Sequence, residues 1–390
     1  MRFSLSNRQA AFMLLAGVLI ALFSSTVFGQ GLRMEVGIPD IDGYQTLACD
    51  FHMHTMFSDG SVWPTVRVDE AWREGLDVIA ITDHIEYRPH RDDVSADPNR
   101  PYEIARSSAE ALVIILIRGT EITRGEPMGH HNAIFLTDVK PLVVPDSIAA
   151  IQAAADQDAF IFWNHPGWKQ PDRKGVWSPI QSLLMERELI DGMEVVNSGR
   201  YDPNVHQWCI DYDLTMLGNS DEHGPTGLTY DFAKGEHRPM TLVFTKEKTA
   251  EEVRKALDKR RTVVYWKNNL AGDEKYLKAI FEESTAVLTS QASITGNGWA
   301  NISITNTSCV PYVLEADGES EYLTFPRRLT LPANRTVMMR IQRKDGATVS
   351  GNRRTALPYR VTNLITGPGE YLAVEITVRV EFISPEEADR

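Results

Sequence analysis

The chain has 390 residues, 43% of them hydrophobic and 24% charged, with a formal net charge of −13. That length suits two globular domains rather than one. The acidic balance argues against a phosphate-tracking nucleic-acid binder, which would carry a basic face, but not against a small anionic substrate, because bound metals reverse the local field.

Residues 1–29 read as a signal peptide. Arg2 and Arg8 form a basic start, Ala10–Phe23 is apolar, and Val27 and Gly29 are the small residues that precede a cleavage site at Gln30. The apolar run is short for a membrane span, which needs about 20 residues. The expectation is an exported chain, periplasmic or secreted, with no transmembrane span once processed; the alternative is an uncleaved N-terminal anchor. Cys49, Cys209 and Cys309 are scattered and odd in number, which fits buried thiols better than a disulfide framework or a zinc knuckle.

From residue 46 to 268, short apolar runs alternate with amphipathic stretches. The runs are Leu76–Thr82, Leu112–Ile117, Ala133–Leu136, Ala159–Trp163, Met193–Val196 and Leu214–Leu217. Helical patterns lie at Trp63–Glu74, Ile148–Gln157 and Asn204–Tyr212. This alternation predicts an α/β domain whose parallel sheet is covered on both faces or closed as a barrel. Residues 269–287 read as a linker with helical character. From 288 to 385 strict alternation takes over, as in Trp299–Thr305, Val337–Ile341 and Tyr371–Phe382, with turn clusters such as Gly296-Asn297-Gly298. That texture predicts a small β-sandwich-like accessory domain.

Most apolar runs of the first part end on a histidine or carboxylate, and ligand-binding groups of parallel sheets gather at C-terminal strand ends. His52 and His54 are two apart in an extended segment, so both imidazoles can reach one metal. Asp59 follows them. His84 lies in Thr82-Asp83-His84, Glu121 follows Gly119-Thr120, and His130-His131-Asn132 opens the next strand. His165 lies in Asn164-His165-Pro166, and Asp221 and His223 close the series. Neutral imidazoles with carboxylates suit Zn, Mn or Fe.

In this order, over residues 46–268, these motifs resemble the PHP (polymerase and histidinol phosphatase) superfamily. The resemblance implies a distorted (β/α)7 barrel with two or three divalent metal ions on its rim. It implies His52, His54 and Asp221 at the first metal, Glu121 bridging to a second completed by His131 and His165, and Asp59, His84 and His223 at a third. The phase of Asn132–Leu136 favours His131 over His130. The export signal and appended β-domain are more like an exported bacterial phosphodiesterase-like subgroup.

The chemistry so implied is hydrolysis of a small phosphodiester by a hydroxide shared between metals about 3.5–4 Å apart. Glu121 is then both ligand and catalytic residue. His223, Asp83 or His206 could protonate the leaving group, although Asp83 could equally orient a ligand imidazole and His206 could simply pack on its helix. Arg88, Arg124 and Arg200 are candidate phosphate clamps. Trp168 and Trp177 could wall a pocket. A phosphomonoesterase on the same site and a secreted metal-containing binding protein are the other readings.

Overall fold

The computed structural model describes residues 32–384, so the expected signal peptide lies outside the described residues. β1 (Gln45–Asp50) pairs in parallel with β2 (Val78–Ile81). Helix α1 (Pro64–Arg73) connects them and starts on a proline, whose fixed φ and missing N–H suit the first helical turn. α2 (Arg100–Leu112) leads to β3 (Ile115–Thr123), parallel to β2. β4 (His130–Ile134) is antiparallel to β3.

α3 (Ser147–Ala155) is capped by Asp146, which accepts from Ala149 N at 2.7 Å. It leads to β5 (Phe160–Trp163), antiparallel to β4. After α4 (Pro179–Glu186) comes β6 (Gly192–Asn197), parallel to β5. The short β7 (Arg200–Tyr201) folds back on β6. α5 (Pro203–Asp211) then leads to β8 (Thr215–Asn219), parallel to β6. α6 (Thr226–Thr229) precedes β9 (Met240–Thr245), which is antiparallel to β1. α7 (Ala250–Asp258), β10 (Thr262–Trp266) and β11 (Asn269–Gly272) complete an antiparallel edge. The sheet is therefore mixed. Two parallel runs, β1-β2-β3 and β5-β6-β8, are joined through antiparallel β4 and flanked by antiparallel β9, β10 and β11.

The segments leaving β8 and β1 run side by side. Asp221 N donates to His52 O at 2.9 Å and His54 N to Glu222 O at 3.0 Å. Arg67 of α1, fully buried, holds this seam. Its Nε donates to His54 O, its Nη2 to Glu222 O and its Nη1 to Gly224 O, each at 2.8 Å. Behind it, Arg238 forks onto Glu74 at 2.7 and 2.9 Å and reaches Asp50 at 3.1 Å.

Residues 269–287, expected as a linker, contain β11, α8 (Glu274–Ser284) and β12 (Thr285–Val287). Leu277, Ile280 and Phe281 of α8 are buried in the core. Beyond lie β13 (Ala292–Thr295), β14 (Trp299–Asn306), β15 (Tyr312–Ala316), β16 (Leu323–Thr324), β17 (Arg328–Leu331), β18 (Arg335–Arg343), β19 (Gly351–Gly367) and β20 (Glu370–Ile383). One layer is β12-β14-β18-β16; the other holds β13-β20-β19 with β15 and β17. Alternate residues, such as Ile302 and Ile304 from the first layer and Tyr359 and Val361 from the second, fill the space between. β19 also pairs in parallel with β11, Leu270 opposite Leu364, so the second layer continues the sheet of the first domain.

Replacing Arg67 with methionine removes a donor from three main-chain carbonyl oxygens and from Glu70 Oε2. The expected loss is about 3 kcal/mol of unfolding free energy, read from the urea midpoint at constant slope. A variant as stable as the parent would refute the role of Arg67 at the seam.

Candidate metal centre

Each strand end delivers side chains to one point. His52 and His54 follow β1 and are fully buried. His52 Nδ1 lies 2.8 Å from Glu194 Oε1 and donates to it, which turns Nε2 toward the cluster. That Nε2 lies 3.1 Å from His54 Nε2, 3.2 Å from Glu121 Oε2 and 3.1 Å from Asp221 Oδ1. His54 Nε2 is 3.1 Å from the same Asp221 oxygen and 3.3 Å from Glu121 Oε2. His84, after β2, stacks on His54 with ring centroids 4.4 Å apart and points Nε2 at Asp59 Oδ1, 3.4 Å away. His223 also packs on His54, ring centroids 4.1 Å apart and 6.1 Å from the His84 ring, donates from Nδ1 to Asp221 O, and brings Nε2 to 3.2 Å from Asp59 Oδ1. His165 Nε2 lies 3.8 Å from Glu121 Oε1 and 3.9 Å from Asp221 Oδ2.

Two of these residues sit on left-handed backbone, His165 at φ 29° and Asp221 at φ 55°. Non-glycine residues in that region are costly and are kept where the surroundings impose them, as at functional sites. Gly60 has a related reason. A Cβ there would stand 2.7 Å from the main chain of His54 and Thr55, so only glycine lets the Asp59 turn close against the histidines.

The donor set fits divalent cations. Three groups, His54-Asp59-His84-His223, His52-Glu121-His165 and His52-His54-Asp221, each place one ligand atom per residue within 4.8 Å of the others. Imidazole nitrogens whose partner nitrogen is already bonded face carboxylate oxygens, with no cationic side chain between them. Asp59 Oδ1 and Glu121 Oε1 are buried and face only imidazole nitrogens, none aligned for a good hydrogen bond. Such an arrangement repels itself unless positive charge enters. The electrostatics agree. Burial opposes charge on His52, yet Asp221, Glu194 and Glu121 hold its pKa well above the usual histidine range. Burial likewise opposes charge on Glu121, but His84 and His52 hold it well below the usual carboxylate range.

The phase of β4 corrects one expectation. His131 is not at the site. Its register opposite Ile122 and Trp163 places it on the outer apolar face, with Ala133. Both its ring nitrogens are buried without partners, and burial, aided by His130, pushes its pKa down to about 3. His130 faces the site instead, its Nδ1 2.6 Å from Glu121 Oε1 and its ring 4.9 Å from that of His165. The polar side chain that marks the inward face of β4 is Asn132, which donates to Phe51 O and accepts from Asn164.

Asp83 is not placed for proton transfer. It accepts from Thr55 N, Thr55 Oγ1 and Ser58 Oγ at 2.6–2.7 Å and so shapes the loop that precedes Asp59. His206 is buried on α5, bonded through Nδ1 to Tyr201 OH at 2.8 Å, and makes no contact with the histidine cluster. Arg88 is tied to the carbonyls of Phe57, Ser95 and Ala96. Arg124 pairs with Glu86 and donates to Val144 O, although it shares a shallow pocket with His130 and Trp168. Arg200 is exposed and lines a cavity at the cluster. Trp168 lines that cavity too, whereas Trp177 packs against Trp208 and Tyr212.

Sequence reasoning passed over Glu194. It is buried, and besides His52 it accepts from His165 N, Asn197 Nδ2 and Asn219 Nδ2 at 2.9–3.0 Å. The signal was present, since an acid inside the apolar run Met193–Val196 needs a buried partner. Such a carboxylate fixes the ligand imidazole's tautomer and raises its basicity.

Two cavities meet at the cluster. One of about 240 Å³ is bounded by His165, Trp168, Arg200 and Asp221. The other, about 630 Å³, is bounded by Asp221, His223, Tyr230, His237, Trp266 and Lys267. Ser198 and Asp221 form the ridge they share.

Two measurements test these placements. His130→Ala should lower the metal content of the purified protein, whereas His131→Leu, which removes two unpartnered nitrogens from an apolar face, should leave it unchanged. Metal loss in His131→Leu alone would reverse the placement. For His206, burial pushes the pKa down to about 4 in the folded chain. An unfolded histidine titrates near 6.5, so between about pH 6.5 and 4 the unfolded state binds the extra proton and stability falls with pH, by up to about 3 kcal/mol. His206→Phe should lose less stability than the parent between pH 7 and 4.5, read by urea unfolding; equal losses would contradict a buried neutral imidazole.

None of the curated proteins matches the chain. Residues 286–377 match a family described as an Ig-like domain. Among solved structures, the chain is similar to a two-domain protein from Bacteroides vulgatus ATCC 8482 said to contain a predicted PHP-like metal-dependent phosphoesterase, at 44% identity and TM-score 0.84, over 90% of this chain and 100% of that one. A protein from Bifidobacterium adolescentis ATCC 15703, provisionally named a metal-dependent phosphoesterase, matches at 20% identity and TM-score 0.37 over 54% of this chain and 96% of its own. On the identity and full coverage of the first of these, the chain belongs to the PHP-like family, in the two-domain form that ends in an Ig-like domain.

Proposed function

We propose that the chain is an exported metal-dependent phosphoesterase that prefers phosphodiesters. The observation that carries the preference is the pair of cavities on either side of the Ser198–Asp221 ridge. A phosphate seated at the cluster has room for a substituent on each side, whereas a monoester would fill only one. Residues 46–268 would form the catalytic domain, in the distorted (β/α)7 pattern its family implies, and 288–385 the accessory β-domain. Export, periplasmic or beyond, is supported by Arg2, Arg8 and the apolar Ala10–Phe23. Among the described residues no helix is long and apolar enough to cross a membrane.

In this reading His52, His54 and Asp221 hold one divalent cation, Glu121, His130 and His165 a second, and Asp59, His84 and His223 a third. Two or three ions of Zn, Mn or Fe, when bound, supply Lewis-acid charge and acidify water. The chain's own groups do the rest. Glu194 and Asn197 orient His52 and Asp221, the latter through Asn197 Nδ2 at 3.3 Å from Asp221 Oδ2. Arg200, with no acid partner among the described residues, can pair with a phosphoester oxygen. His223, which lines the larger cavity, is the cluster's most exposed imidazole, its side chain 38% accessible, and stands where a leaving group would depart.

The test is metal analysis together with hydrolysis of bis(p-nitrophenyl) phosphate and p-nitrophenyl phosphate. We expect at least two equivalents of metal, activity lost to a chelator and restored by Zn, Mn or Fe, and higher kcat/KM on the diester. Glu121→Ala should lower kcat/KM by roughly 10²–10³-fold. Undiminished activity in Glu121→Ala would remove the metal cluster from the chemistry; faster turnover of the monoester would overturn the diester preference alone.

A further inference from the structure

The larger cavity is roofed by two facing hairpin turns. Asn197 and Arg200 flank Ser198-Gly199, with φ of 49° and 74°, and Trp266 and Asn269 flank Lys267-Asn268, with φ of 46° and 69°. Two consecutive positive φ values make each a two-residue turn of the tight type that matches strand twist. A Cβ on Gly199 would stand 3.2 Å from Lys267 Cε and 3.6 Å from Nζ, so the lysine stem lies across the glycine. The base of the Lys267 hairpin is held by Trp266 stacked on Tyr201, ring centroids 5.6 Å apart. Of the two lysines that line the cavity, Lys234 is paired with Asp231 at 2.7 Å, whereas Lys267 has no acid within ion-pair distance among the described residues.

The turn that carries Lys267 is braced from the Ig-like domain. Asn363 of β19 donates from Nδ2 to Asn268 O at 2.6 Å and to Pro311 O at 2.8 Å, while its Oδ1 accepts from Val313 N at 3.0 Å. One amide thus joins the cavity turn to two segments of the accessory domain. The β11–β19 pairing and Ile365, packed with Val196, Val264 and Trp266, extend the same support.

We propose that Lys267 is a substrate-binding residue of the larger cavity, taking an acceptor oxygen of the bound phosphoester, and that the Ig-like domain sets its position through Asn363. This rests on the phosphoesterase reading. An unpaired ammonium beside the carboxylate-rich cluster adds attraction for an anion at the mouth of an otherwise acidic centre. Because Lys267 lines the cavity and is not one of the clustered histidines and carboxylates, its contribution is to binding rather than to the chemical step, which raises KM and spares kcat when it is lost.

The experiment uses the full chain loaded with metal and bis(p-nitrophenyl) phosphate, whose identical substituents put one ring in each cavity. Lys267→Ala should raise KM about tenfold with kcat within about twofold and metal content unchanged, and Lys267→Arg should recover most of the loss. Asn363→Asp, which keeps the acceptor but loses both donations, should raise KM in the same direction, and should add nothing in the Lys267→Ala background. Asn363→Ser, which shortens the reach without adding charge, should repeat that result if the aspartate lowers the melting temperature. An unchanged KM in Lys267→Ala overturns the substrate contact, and an Asn363 effect that adds fully to Lys267→Ala overturns the bracing role; in both cases the parent enzyme still cleaves phosphoesters. A metal-loaded parent that cleaves none overturns the reading beneath the proposal instead.

Discussion

Everything at the rim follows from one electrostatic constraint. Glu121 and Glu194 are buried, and Asp221 is nearly so, in contact with imidazoles rather than with any arginine or lysine. Taking an ionised carboxylate out of water costs several kcal/mol unless an opposite charge is close. The chain keeps its own buried cations outside the cluster. Arg67 bonds to main-chain oxygens of the seam and Arg238 to Glu74 and Asp50. The scaffold is thus neutralised by arginine, while the centre is left with a deficit of positive charge that protons or divalent ions must fill.

Much of this was legible in the sequence because strand ends converge. His52, His54, Asp59, His84, Glu121, His165, Asp221 and His223 are brought together as the motif spacing implied. What was not legible depends on direction. His130 and His131 are adjacent, so the choice turns on which face of β4 is inward, and that is fixed by its antiparallel register with β3, where Asn132 stands opposite Glu121. The apolar residues after His131 suggested that its side was the structured one; Ala133, on that side, packs outward under the helices, whereas Ile134, on the side of His130, belongs to the inner core. Asp83 and His206 were near motifs in sequence but are turned to Thr55 and Tyr201. Glu194 was hidden by the apolar residues around it.

The accessory domain also reads differently once the register is known. Alternation and turn residues were enough to predict two layers of strands. They could not reveal that β19 would pair with β11, because that contact joins residues far apart in sequence. Nor could the pattern of 269–287 show that the apolar face of α8 packs into a core shared by both domains. The Ig-like domain is consequently a continuation of the first domain's sheet, and its side chains belong to the same packing problem as those of the cavity.

The seam between β8 and β1 has a kinetic meaning. Its hydrogen bonds link residues 168 to 170 positions apart, as in Phe51 N to Asn219 and Ser220 N to Asp50. Contacts of such sequence separation carry the full loop-closure entropy and form late. His52, His54 and Asp221 stand on the two sides of that seam, so this part of the cluster is assembled only when that long loop has closed. Metal capture would then report on that closure, and a bound ion would act as a latch on a join that costs much loop entropy to make.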